Sequence, residues 1–340
     1  MTRNETYYRK VIGAIGATML LFWGLLTAFS IVIALLPIFL AFVPEPVATV
    51  VYQTVYAAIY LLSFMMPVLL LKHLIKRAGY IYQPMRSEFQ LSPWIFLLVP
   101  AVVAVNFSAA YFNSAMVNIF DYSAFSSEIL WGQSMVAPPV YAWVLEFMVM
   151  CVVPGFCEEF LFRGAILNNC RPFGRTNAIL ISALLFSLMH QNAEQIFYAF
   201  IAGIFLGIIY EKTGNIWCGT VIHIFNNFLS TFEGVLFYKS GDWFTSSVII
   251  TVFEVLLLLL GGICLAILIG RFFSKKERFE EGVFEKNLPA TDEYASHPIS
   301  AKRAVQLFMR PTMIIFLVLC AVQIVSLILL ALGYQYVYGV

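Results

Sequence analysis

The chain reads as an all-helical, polytopic integral membrane bundle with about nine transmembrane segments. Three observations predict it. Apolar residues make up 61% of the chain and charged residues only 11%, with a mean hydropathy of +0.86, whereas soluble domains run nearer half apolar and about a quarter charged. Runs of roughly 20 apolar residues, each long enough to cross ~30 Å of hydrocarbon, recur from one end of the sequence to the other. Lys and Arg fall between these runs in a regular alternation, as they do where they mark the cytoplasmic side of a membrane.

The apolar runs cover 11–43, 47–71, 94–119, 140–167, 178–190, 196–210, 216–236, 248–269 and 313–334, the fifth and sixth being short for full spans. The first lacks a small-residue cleavage site, which predicts a retained span and not a removed signal peptide. Arg3, Arg9 and Lys10 precede the first run; Lys72, Lys76, Arg77 and Arg86 follow the second, Arg171 and Arg175 the fourth, Lys212 the sixth, and Arg271, Lys275, Lys276 and Arg278 the eighth. The intervening connections carry only Lys239. This predicts a multi-pass protein of the cell membrane with a cytoplasmic N-terminus and the C-terminus outside. Along its length the chain divides into N-terminal transmembrane helices and loops (1–139), a polar-decorated helical core (140–271), a polar cytoplasmic linker (272–310) and a separable C-terminal transmembrane helix (311–340).

Several classes drop out. A net charge of +1, with basic clusters only where topology places them, excludes a nucleic-acid partner, which would need a basic surface patch. The six cysteines lie in or beside apolar runs without a Cys-x-x-Cys pair, so they read as small core residues and not as a disulfide framework. No repeat of 20 to 50 residues marks a solenoid or array.

The chemistry concentrates in Pro154-Gly155-Phe156-Cys157-Glu158-Glu159-Phe160-Leu161-Phe162-Arg163. An ionisable side chain near the middle of a transmembrane helix costs roughly 2.5 to 3.5 kcal/mol even on lenient scales. Two adjacent carboxylates there are a working site by default. Glu159 precedes Arg163 by four, the order in which such a pair interacts best on one helix face. Glu158, rotated about 100° away, has no partner on its own helix and is the candidate proton acceptor. Pro154 removes the backbone bond to Met150 and Gly155 permits a bend, which predicts a kink or an opening beside Glu158.

His190 closes the fifth run, and His223 and Asn227 share one face of the seventh, about 40° apart, with Asn226 about 60° to the other side. Counted from the basic ends of their helices, Glu158 and His223 both lie roughly 10 to 15 Å deep and His190 near ~20 Å. Convergence of all three therefore requires the fifth and sixth runs to turn inside the protein. Glu146 and Glu254 lie in the outer parts of their helices, within reach of the interface, and Gly203 and Gly207 read as a close-packing pair.

In that order, Glu-Glu-x-x-x-Arg (Glu158, Glu159, Arg163), Phe-x-x-x-His (Phe186, His190) and His-x-x-x-Asn (His223, Asn227) resemble the motifs of the CAAX protease and bacteriocin-processing family, the Abi or type II CAAX prenyl endopeptidase-like proteins. The resemblance covers about 140–269. It implies an intramembrane endopeptidase acting on a membrane-associated peptide or protein, with the lipid bilayer as its other partner. It implies further that Glu158 activates the hydrolytic water, His190 helps to hold and polarise it, and His223 and Asn227 donate hydrogen bonds to the developing oxyanion, with Glu159 and Arg163 in a supporting role. These roles also suit peptide hydrolysis on physical grounds, since it needs a base and preorganised donors. The site is expected to open toward the cytoplasmic leaflet.

A His-His-Glu set is also a catalytic zinc triad, so a zinc ion held by Glu158, His190 and His223 stays open, although no His-Glu-x-x-His helix is present. Two other classes compete. Buried carboxylates and histidines form proton relays in transporters, but those often carry inverted repeats and this chain has one polar core without a matching half. A non-proteolytic membrane scaffold or bacteriocin immunity factor built on the same motifs is the other.

Overall fold

The computed structural model describes residues 2–85, 94–119, 140–191, 193–240, 243–273 and 299–338. The described elements are helical throughout, without strands, and form the polytopic bundle that the apolar runs predict. In chain order they are α1 (Arg3–Leu40), α2 (Glu45–Arg77), α3 (Ile95–Ile119), α4 (Val140–Phe147), α5 (Val153–Glu159), α6 (Asn168–Cys170), α7 (Arg175–Met189), α8 (Ala193–Thr213), α9 (Ile216–Ser240), α10 (Trp243–Phe273), α11 (Ala301–Phe308) and α12 (Pro311–Tyr338).

Local chemistry sets several of these boundaries. Thr2 caps α1 reciprocally with Glu5: the Thr2 hydroxyl accepts from the Glu5 amide at 3.2 Å while the Thr2 amide donates to the Glu5 carboxylate at 3.0 Å, satisfying two otherwise orphan donors. Pro44 and Pro46 open α2, where a missing N–H is harmless. Gly79, at φ +82°, closes it, because a left-handed terminating residue is readily adopted only without a Cβ.

Among the described residues, six helices are long and apolar enough to cross a membrane: Arg3–Leu40, Glu45–Arg77, Ile95–Phe112, Gln195–Thr213, Ser247–Gly270 and Pro311–Leu329. The sequence suggested about nine spans. The three remaining apolar runs, 140–167, 178–190 and 216–236, carry Glu158, Glu159, Arg163, His190, His223 and Asn227. Polar side chains lower the hydropathy of 216–236, and α7 has only 15 residues, about 22 Å at 1.5 Å each, whereas 140–167 is a continuous helical path, long enough to span, in which π turns interrupt the α-helix. Outward faces of α10 and α12 present Leu256, Leu259, Ile263, Val318 and Val322, apolar surface that a bilayer and not water can cover.

The first two helices pack antiparallel, and α12 lies along α1. Thr312 Oγ1 donates to the Gly13 carbonyl at 2.9 Å, and Trp23 Nε1 donates to Gln323 Oε1 at 2.9 Å. The last helix, expected to be separable, is thus fastened to the first by polar bonds. Most of the linker read at 272–310 lies outside the described residues, but 301–308 form α11, whose Arg303 bonds Glu5 at 2.6 Å.

Basic connections gather at one end of the bundle. There Tyr7 stacks on Tyr80 with ring centroids 4.0 Å apart, the Tyr8 hydroxyl donates to the Ala304 carbonyl at 3.3 Å, Asn177 donates to the Ile299 carbonyl at 3.1 Å, and Arg171 pairs with Glu211 at 3.2 Å. Along the remainder of the core, α7 and α8 form an antiparallel hairpin, α3 packs on α8 and α10, and α5 on α9.

Helical backbone runs unbroken from 140 to 173, but two stretches within it, Met148–Val152 and Phe160–Leu167, are π-helical. The distortion foreseen at Pro154 is therefore a widened turn on each side of the glutamates, a form that recurs at functional sites. Gly155 serves close approach. A Cβ there would stand 2.6 Å from Ile224 Cγ1 and 3.2 Å from the Ile224 amide nitrogen, so only glycine lets α5 seat against α9 one residue from His223.

Gly155→Ala is expected to cost about 1–3 kcal/mol through overpacking, read as a lowered melting temperature in detergent. Ile224→Ala in the same chain should recover part of that loss. Strictly additive losses would mean that the two residues do not meet.

Candidate functional site

The two adjacent glutamates point to different partners. Glu159 Oε1 accepts from Arg163 Nη1 at 2.7 Å, the four-residue pair expected from spacing, and also from His223 Nδ1 at 3.1 Å. Glu158 Oε1 accepts from the Tyr60 hydroxyl of α2 at 2.6 Å, and Glu158 Oε2 lies 3.7 Å from His223 Nε2. One imidazole therefore sits between two carboxylates. Glu158, Glu159, Arg163 and His223 are all buried.

Arg163 is satisfied on several sides. Nη2 donates to the Gly203 carbonyl at 3.2 Å, and its guanidinium carbon lies 4.4 Å from the centroid of the Phe186 ring, a cation–π contact that gains strength when desolvated. A Cβ on Gly219 would be 3.0 Å from Glu159 Oε2, so the glycine leaves that carboxylate its room. Glu159 and Arg163 are thus more than a tie between turns: through Glu159 they hold His223.

His190 caps the C-terminus of α7, where Gln191 at φ +54° turns the chain back toward α8. The fifth and sixth runs thus reverse direction just after His190. His190 Nδ1 bonds the Phe186 carbonyl at 2.9 Å. A carbonyl only accepts, so the proton is on Nδ1 and the Nε2 lone pair is left for the site. His223 repeats the arrangement, with Nδ1 directed at Glu159 and Nε2 at Glu158. Phe186 packs edge-on against both rings, at 5.2 and 5.7 Å between centroids, and spaces them.

Asn227 reaches back to the glutamate-bearing helix, its Nδ2 lying 3.5 Å from the Met150 carbonyl. That carbonyl is the one Pro154 cannot bond in an α-helix, because proline lacks the N–H. Alongside this constellation runs a cavity of about 500 Å³ whose lining includes Asn106, Phe186, His190, His223, Asn226 and Asn227. Glu158 is not part of the lining and stands behind His223. Asn226 was expected on a different face, yet it lines the same cavity and accepts from Asn106 Nδ2 at 3.0 Å, because α3 closes the side toward which it points.

The described lining of the cavity extends away from the basic end of the bundle. Its lining on α9 extends from Ile222 to Thr231, on α8 back to Gln195 and on α3 on to Tyr111, each progression leading away from the end where Arg171 and Lys212 lie. The zinc alternative has no assembled ligand set behind it: among the described residues no three His, Cys, Asp or Glu side chains converge as a metal site.

Tyr60 and Asn106 were not singled out from sequence. Tyr60 is one of three tyrosines at four-residue spacing in α2, with Tyr52 and Tyr56, and nothing local distinguishes it. Asn106, an amide midway along an apolar run, did carry a signal.

Residues 140–229 match the family described as type II CAAX prenyl endopeptidase Rce1-like. No curated protein and no solved structure matches the chain. The matched stretch is 90 of 340 residues and holds Glu158, Glu159, Arg163, His190, His223 and Asn227; Tyr60 and Asn106 lie before it. The family read from the three motifs is therefore the family whose description the core matches.

Tyr60→Phe deletes only the hydroxyl that holds Glu158 and keeps the ring in its stack on Phe64, 4.7 Å between centroids. Since a hydrogen bond to a charged group is worth about 1.5–3 kcal/mol, peptide turnover should fall about ten- to a hundredfold in Tyr60→Phe. Tyr56→Phe, one turn away, should turn over like wild type. Equal rates for all three proteins would remove Tyr60 from the site.

Proposed function

We propose that this protein hydrolyses a peptide bond of a membrane-associated peptide or protein, with Glu158 as the base that activates water. The observation that carries this reading is the position of Glu158 Oε2: buried, without a hydrogen-bond partner among the described residues, and 3.7 Å from His223 Nε2 behind the wall of a polar cavity. Tyr60 holds the other oxygen, so Oε2 is the one free to take a proton.

In the proposed reaction a water hydrogen-bonded to Glu158 Oε2 and to the Nε2 lone pair of His190 attacks the scissile carbonyl carbon. Its proton passes to Glu158, the new C–O bond forms, and the carbonyl oxygen becomes the oxyanion. Glu158 Oε2 lies 3.7 Å from His223 Nε2, so proton exchange between them requires the two side chains to close to hydrogen-bond distance, and the second N–H of Asn227 is the donor offered to the oxyanion. On collapse the C–N bond breaks and the proton goes to the leaving amine. A positioned base contributes about 10² to 10⁴ in rate, and a lost oxyanion donor costs about 10² to 10³.

The zinc alternative keeps one supporting feature, since tying Nδ1 of both histidines leaves Nε2 as the ligating atom of a metal site. Elemental analysis of the purified protein decides it. One zinc per chain, lost in His223→Ala, would move Glu158 from base to ligand.

Glu158→Gln preserves volume and cannot accept the proton. It should abolish cleavage while the protein still inserts and melts near wild type, measured on a prenylated CAAX peptide and by comparing peptides in membranes carrying wild type or variant. Asn227→Ala should reduce turnover about 10² to 10³ with KM little changed, because the oxyanion interaction strengthens only in the transition state. Full activity in Glu158→Gln refutes the assigned base, and proton flux without cleavage would favour the transporter reading.

A further inference from the structure

The cavity continues beyond the catalytic group in a direction the hydrolytic chemistry does not use, and its lining changes in kind along the way. Three residues past His223 on α9 stands the Asn106–Asn226 amide pair, and Asn106 Oδ1 is buried without a partner among the described residues. Five residues past Asn106 on α3 stands Tyr111, whose hydroxyl donates to Glu254 of α10. All five line the same cavity. At 1.5 Å rise per residue the amide pair lies about 4–5 Å from His223 along the bundle axis, and Glu254 about 12 Å.

The unsatisfied amide oxygen of Asn106 on the cavity wall suits an N–H of an extended main chain, whose groups cost free energy if buried unpaired. Glu254 is the one Asp, Glu, Lys or Arg in the span Ser247–Gly270, and no Lys or Arg is among the described residues lining the cavity. The Tyr111 hydroxyl satisfies one oxygen of Glu254 without neutralising its charge, which a cation brought to the cavity would do. An extended chain advances about 3.3 Å per residue, so 12 Å corresponds to three or four residues.

We infer that the cavity is a binding channel for an extended peptide, with Asn106 and Asn226 bonding its main chain next to the scissile bond and Glu254 selecting a basic side chain three or four residues away. In the orientation given by the basic loops, that chain enters from the side opposite the cytoplasm. The choice of a peptide as ligand rests on the proposed hydrolytic activity, but the channel can be tested apart from it.

The test uses full-length Glu158→Gln protein in nanodiscs and fluorescein-labelled apolar decapeptides in which a single Lys is moved through every position, with the same decapeptide carrying Gln in place of the Lys as reference. Binding is read by fluorescence anisotropy. One Lys position should bind about tenfold more tightly than the reference, the scale of one hydrogen bond to a charged group. Glu254→Gln should erase that preference, and Glu254→Lys should transfer it to Glu in the same position. Asn106→Leu should weaken all peptides alike. Position-independent binding, or a preference unmoved by the charge swap in a variant that still melts cooperatively, overturns the inference. Register-specific binding without cleavage by the wild type would leave the channel standing and refute the hydrolytic reading.

Discussion

Two carboxylates on consecutive residues cannot be buried in an apolar bundle unless the chain supplies partners in two directions at once, and much of the architecture answers that demand. The side chains of 158 and 159 diverge by about 100°. Arg163 meets one from the same helix, and Tyr60 meets the other from α2, 98 residues earlier in the sequence. His223 is then set between them. Removing Arg163 would leave the buried Glu159 carboxylate without its counter-charge, which is far costlier than never having built the pair.

That demand also accounts for backbone features that would otherwise look unconnected. The π-helical stretches before and after α5 alter the phase of the turns on either side of the glutamates. Gly155 and Gly219 remove the Cβ atoms that would keep α9 from the glutamate turn. Pro154 leaves the Met150 carbonyl without its α-helical donor, and the amide of Asn227 approaches that oxygen. Sequence features readable only as helix breakers thus become the means by which α9 is brought against the carboxylates.

How much was legible follows from sequence distance. The Glu159–Arg163 pair, the shared face of His223 and Asn227, and the internal turn after His190 depend on spacing within one or two helices, and local geometry yields them. Tyr60 was hidden because its partner is 98 residues away, and Asn106, although an amide in an apolar run, could not be assigned to the site because its partner is 120 residues away. A tyrosine in an apolar run has the same local signature whether it faces lipid or a carboxylate. Asn226 was placed on another face by correct angular reasoning that lacked the third helix, α3, which closes the cavity on that side. The span count has a related cause: the three runs that carry the site lie outside the six long apolar α-helices among the described residues, one because π turns interrupt it and another because it is short.

The direction of the cavity bears on what kind of substrate suits the site. A site that received its substrate from the basic end would place its polar lining between His223 and the connections holding Arg171 and Lys212. The amides, hydroxyls and Glu254 instead lie on the far side of His223. A polar wall at that depth is unfavourable to keep facing hydrocarbon, and a proton relay has little need of non-titrating amides at Asn106, Asn226 and Asn227. Side chains that donate and accept without titrating fit a main chain, and a carboxylate at the end of their row fits a cation carried on that chain. The same lining that weighs against a relay therefore weighs toward a peptide held in one register against Glu158 and His223.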